Sequence, residues 1–131
     1  MGLNQIKAIG EIWKSNKEKT ERSFDLIEKL REDLEKLKVQ DGINGYIFRG
    51  SKSASVDLKD PTKIIEYAAL SSTTLEAAEE IARASNLGNL NTVVLEGKDV
   101  KILSVIIGDC RLSIFMDKDV DHNRVCEELT L

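Results

Sequence analysis

Thr92 to Met116 reads TVVLEGKDVKILSVIIGDCRLSIFM and holds three runs of β-branched and apolar residues. Thr92 to Leu95, Val100 to Ile107 and Arg111 to Met116 are separated only by Glu96-Gly97-Lys98-Asp99 and Gly108-Asp109-Cys110. Short glycine-containing breaks between such runs predict a three-stranded antiparallel meander. Ile102, Leu103, Val105, Ile106 and Ile107 leave the middle strand almost no polar alternation, so both of its faces need apolar cover. Helices are therefore expected on both sides of the sheet.

Working back from this stretch, Ile43 to Arg49 and Ser53 to Leu58 read as two further strands around a Gly50-Ser51-Lys52 turn. The second is polar enough for a sheet edge. Between these strands and the meander, Asp60-Pro61 marks a helix start, with a capping carboxylate followed by proline at the first helical position. This helix is expected to run to Ala84 or Ser85, before Asn86-Leu87-Gly88.

The apolar arc of that helix is wide. Ile64, Ala68, Ser71, Leu75, Ala78 and Ala82 form one row, and Tyr67, Leu70, Thr74, Ala77, Ile81 and Ala84 lie beside it. The two rows span about 200°, against the roughly 100° that suffices to cover one surface. One reading is a second helix, from another copy or another protein, packed closely over these small residues. The other is that small residues simply make a good helix.

Upstream, Phe24, Ile27, Leu30, Leu34 and Leu37 carry one apolar seam, which Asp41-Gly42 ends. Asp25 with Lys29, Arg31 with Glu35 and Glu32 with Lys36 are spaced to pair on its solvated faces. The seam is only about two heptads long, so covering the chain's own sheet is a more economical use than a coiled coil. Leu3, Ile6, Ile9, Ile12 and Trp13 suggest a short amphipathic helix before a capping box at Ser15 to Glu18. After the meander, Asp117-Lys118-Asp119 closes the last strand, and Val125 and Leu129 mark a short terminal helix.

The totals narrow the function. The 131 residues suit one domain, and a net charge of -4 lacks the basic surplus that phosphate backbones attract, so no nucleic-acid partner is expected. No apolar run approaches the roughly 18 residues of a membrane span, and no signal peptide is legible. Ile6 stands where a myristoylation motif needs Ser or Thr. A cytoplasmic protein is expected, with Cys110 and Cys126 as free thiols.

Catalytic and metal chemistry find little purchase. Asp117, Asp119, Asp121 and Glu128 have EF-hand spacing, but His122 stands where that loop requires glycine, and a strand precedes it. His122 and Cys126 would make half a metal site, and Cys126 reads better as packed inward beside Val125. Nothing in the sequence orders His122, the single histidine, beside Cys110 in its hairpin turn as a nucleophile pair requires. Gly42, Gly45 and Gly50 lack the Gly-Lys-Ser/Thr step of a phosphate loop and read as turn residues. No catalytic residue, cofactor site or metal site is assigned.

From Leu26 to Leu129 the order of elements resembles the Roadblock family, named for a dynein light chain and including archaeal and bacterial regulators of Ras-like GTPases. The residues that carry the resemblance are the first strand between Asp41-Gly42 and Gly50, the Ala/Ser/Thr-rich helix ending in Asn86-Leu87-Gly88, and the stretch from Val94 to Asp119. It implies an α+β sandwich: a five-stranded antiparallel sheet with the long helix on one face and the N- and C-terminal helices on the other. The domain would occupy 23–131, with 1–22 as an extension. It further implies a non-enzymatic module without cofactor, dimerising through the long helix and the third strand and binding a small Ras-like GTPase. The interface residues would be Tyr67, Leu70, Ser71, Thr74, Leu75, Ala77, Ala78 and Ile81 on the helix and Thr92, Val93, Val94 and Leu95 on the strand. Leu75→Asp is then expected to abolish the dimer and leave the domain folded. Two departures are the N-terminal extension and the short last helix, whose missing cover Leu3, Ile6, Ile9 and Trp13 could supply by folding back. A profilin-like sensor, with a small molecule held between sheet and helix, and a structural adaptor without a GTPase partner are the alternatives.

Overall fold

The computed structural model describes residues 25–129. The N-terminal amphipathic pattern, its capping box and Phe24 lie outside the described residues. A first helix, α1, occupies 25–37. It is followed by β1 (Ile43–Arg49), β2 (Ala54–Leu58), a single 3-10 turn (Pro61–Lys63) running into α2 (Ile64–Ala84), then β3 (Thr92–Glu96), β4 (Val100–Ile107), β5 (Cys110–Asp117) and α3 (His122–Glu128). The strands form one antiparallel sheet in the order β2-β1-β5-β4-β3. The meander is present as read from the sequence, and β2 is an edge strand, as its polarity requires.

One face of the sheet is covered from both ends of the described chain. Leu30, Leu34 and Leu37 of α1 and Val125 of α3, with Leu129 just beyond it, pack on Ile43, Tyr46, Phe48, Leu103, Val105, Leu112, Ile114 and Met116. The opposite face belongs to α2, where Tyr67 packs with Ile47, Leu58, Ile102 and Phe115. Along β4 and β5 the residues assigned to the two faces alternate, as the two-residue repeat of a pleated strand demands.

Three expectations change in detail. Cys110 is not a turn residue: it pairs with Ile107 at the mouth of a two-residue Gly108-Asp109 hairpin, with the positive φ of 56° on the glycine. Gly45 lies inside β1, at a φ of 140°, where the register shifts between Ile43 and Gly45. That bulge brings Ile43 onto the same face as Tyr46, and a Cβ at Gly45 would run into the Asp57 carbonyl and lie 2.7 Å from Leu58 Cα. On α1, Arg31 pairs with Glu28, and Glu35 with Lys38, rather than in the spacing expected.

Candidate functional surface

α2 is built to sit close to its sheet. Asp60 caps the 3-10 turn that leads into it, accepting from the Thr62 backbone N at 3.1 Å and from Thr62 Oγ1 at 2.6 Å. These two bonds hold the Asp60 carboxyl below its ordinary range. Midway along, Ser71 Oγ lies 2.6 Å from Ser113 Oγ, which lies 2.9 Å from Ser104 Oγ. All three serines are buried, so a chain of hydroxyls stitches α2 to β4 and β5 where larger side chains would hold the helix away. Tyr67 stacks on Phe115 with ring centroids 4.4 Å apart, and Lys63 stands over the Tyr67 ring. Towards the helix end, Arg111 Nε donates to Glu79 Oε1 at 3.2 Å.

The expected interface residues consequently divide. Tyr67, Ser71 and Leu75 are buried within the subunit, Leu75 to 3% exposure, which removes the basis for Leu75→Asp as an interface test. A carboxylate there would be buried without a partner and would cost the fold itself. Leu70, Ala77 and Ile81 are exposed and Thr74 and Ala78 half-buried, with Ile81 at 67%. They form the flank of α2 that the sheet leaves uncovered.

On β3, register separates the four residues by face. Val93 pairs with Ser104 and Leu95 with Ile102, both on the α2 side, whereas Thr92 pairs with Val105 and Val94 with Leu103, on the side of α1 and α3. Leu95 and Val93 therefore share a face with the α2 flank, and Val94 does not. Among the described residues β3 pairs with β4 alone, so its outer edge has no strand partner there. Exposed Ile65, at the start of α2, is a further apolar residue that the sequence reading did not place at an interface.

The residues weighed for chemistry hold structural posts. Asp117 Oδ1 accepts from Asn44, Asp121 caps α3 by accepting from the Asn123 backbone N, and Glu128 accepts from Gln40 and pairs with Arg124. Cys126 packs against the larger core, and burial pushes its thiol upward from the ordinary range. Lys101, which sits within the apolar run of β4, is the buried charge that the sequence reading missed. Its ammonium donates to the Val120 carbonyl at 2.6 Å, lies 3.3 Å from His122 Nδ1 and pairs with Glu96 at 3.6 Å, tying β3, β4 and the start of α3 together. Among the described residues, no three His, Cys, Asp or Glu gather as a metal ion would need, and no helix is long and apolar enough to cross a membrane.

A cavity of about 240 Å3 lies between α1 and the sheet, lined by Ile27, Leu30, Leu34, Glu35, Tyr46 and Phe48 among others. It falls short of the roughly 300–1,000 Å3 usual for small-molecule sites. Burial and the neighbouring Glu35 push the Tyr46 phenol upward.

The fold is similar to that in a crystal structure of the Roadblock/LC7 domain from Streptomyces avermitilis, with a TM-score of 0.59 and 14% identity over 76% of this chain and 84% of that one. No protein-family model matches the sequence, and no curated protein matches it. The chain thus has a Roadblock/LC7-type fold, as the order of its elements implies.

Proposed function

We propose that the chain is a non-enzymatic, dimeric interaction module of the cytoplasm that binds and regulates or scaffolds a small Ras-like GTPase. One observation carries this reading. Among the described residues, the α2 flank of Leu70, Ala77 and Ile81 is apolar and exposed, and it shares a face of the sheet with Val93 and Leu95 of an edge strand that has no strand partner on its outer side. A second copy that paired along β3 and packed its α2 against this flank would bury both. The Roadblock/LC7-type fold supports the same reading.

Such a module acts through position. By binding one nucleotide state of the GTPase more tightly than the other it shifts that population, and only by the difference in affinity. Arg111 is already engaged by Glu79 and by two backbone carbonyls, which makes it a poor candidate for completing a GTPase site in trans.

The test is a pull-down from native lysate with the full chain as bait, run in parallel with a non-hydrolysable GTP analogue and with GDP and read by mass spectrometry. Enrichment of a small GTPase in one nucleotide condition is expected, and the preferred state gives the direction of regulation. Absence of any GTPase from both arms would leave a structural adaptor as the better reading.

A further inference from the structure

A cleft of about 720 Å3 opens where α2 ends, walled by Glu79 and Arg83 of α2, Asn89 and Asn91 of the following loop, and Arg111 of β5. Arg111 is fixed in place, with Nε on Glu79 and Nη1 on the carbonyls of Gly108 and Cys110 at 3.0 and 3.2 Å. Among the described residues the Arg83 side chain makes no hydrogen bond or ion pair. Two guanidinium groups therefore border the cleft, with Glu79 the acidic side chain on its wall.

The inference rests on the dimer proposed above. When a strand pairs antiparallel with its own copy about a two-fold axis, the numbers of facing residues have a constant sum. With Val94, the middle residue of β3, facing itself, Thr92 lies across from the partner's Glu96, and beyond the paired strands the 89–91 segment of one copy and the 97–99 segment of the other leave on the same side. The β3–β4 turn of one copy then runs alongside the 89–91 segment that walls the cleft of the other.

We propose that each subunit's cleft receives the partner's turn from Glu96 to Asp99, with the partner's Asp99 carboxylate against Arg83. Within its own subunit Glu96 is taken by Lys101, whereas the Asp99 side chain is exposed and has no side-chain partner among the described residues. Lys98 of the same turn is also exposed and has to remain in solvent in this arrangement. The turn is held in shape by the Gly97 N–H donating to the Val100 carbonyl and the Lys118 N–H donating to the Asp99 carbonyl, so it can enter as a formed unit. Two-fold symmetry makes the contact twice per dimer.

Charge exchange tests it. Arg83 and Asp99 are exposed, so Arg83→Glu, Asp99→Lys and the double variant of the full chain should all fold, which circular dichroism checks. Sedimentation equilibrium is expected to show each single variant dimerising about tenfold or more weakly, since like charges are then juxtaposed twice. The double variant, with the pair reversed, is expected to return to within about twofold of the wild type. If the single variants dimerise as the wild type does, or the double variant is as weak as the two effects combined, the cleft does not hold this turn. Ile81→Asp separates the levels: a dimer that it abolishes but that ignores both charge variants keeps the interface and overturns only the docking of the turn. A monomeric wild type overturns both.

Discussion

The Ser113 hydroxyl sets how closely α2 lies on its sheet, because it stands between Ser71 of the helix and Ser104 of the neighbouring strand. Ser113→Ala leaves two buried hydroxyls without their shared partner and is expected to lower unfolding free energy by about 1–3 kcal/mol, measurable by urea denaturation. A loss no larger than that of a surface serine would mean that the outer hydroxyls find other acceptors. None of this was visible in the sequence. A serine at a core-facing strand position looks like a break in an apolar pattern until its partner, 42 residues away, is known. At the start of α2 the linkage is to pH. Asp60 has a folded-state pKa below its unfolded value, so its contribution is present above the ordinary carboxylate range and is lost as pH falls through the folded value. Asp60→Asn is expected to flatten the acid limb of a stability-versus-pH curve; an unchanged limb would assign that dependence to other carboxylates.

At the scale of the element, α2 shows what periodicity can and cannot decide. The 3.6-residue pattern revealed an apolar arc too wide for one surface; the end at Ala84 agrees with the structure, and Asp60-Pro61 opens a 3-10 turn that passes into α2 at Ile64. It could not say which part of the arc the sheet claims, because that depends on how the helix is rotated over the sheet, and here the serine chain and the Tyr67–Phe115 stack settle the rotation. The consequence is a pair of opposed outcomes for one kind of change. Leu75→Asp places a carboxylate in the core and is expected to unfold the domain, since even Leu→Ala at a buried site costs about 2–5 kcal/mol. Ile81→Asp places it in solvent and is expected to leave the thermal melt of the subunit within a few degrees of the wild type. If both variants fold equally well, the assignment of the two flanks is wrong.

For the whole molecule, the sheet, its strands and the distribution of helices were legible because alternation, turn residues and caps all point to one arrangement. The candidate surface was legible as a region, but its residues were mixed: five of the eight helix residues expected to meet a partner serve wholly or partly inside the subunit, and the β3 residues face two ways. Side-chain direction in an edge strand follows from pairing register, which no single strand reveals on its own. What remains exposed among the described residues is an apolar flank beside an unpaired edge, which a second copy is proposed to cover. Sedimentation velocity on the wild type and on Ile81→Asp tests that claim most directly. A dimer is expected for the wild type and a folded monomer for the variant; a monomeric wild type, or a dimer that survives the substitution, would rule out that interface.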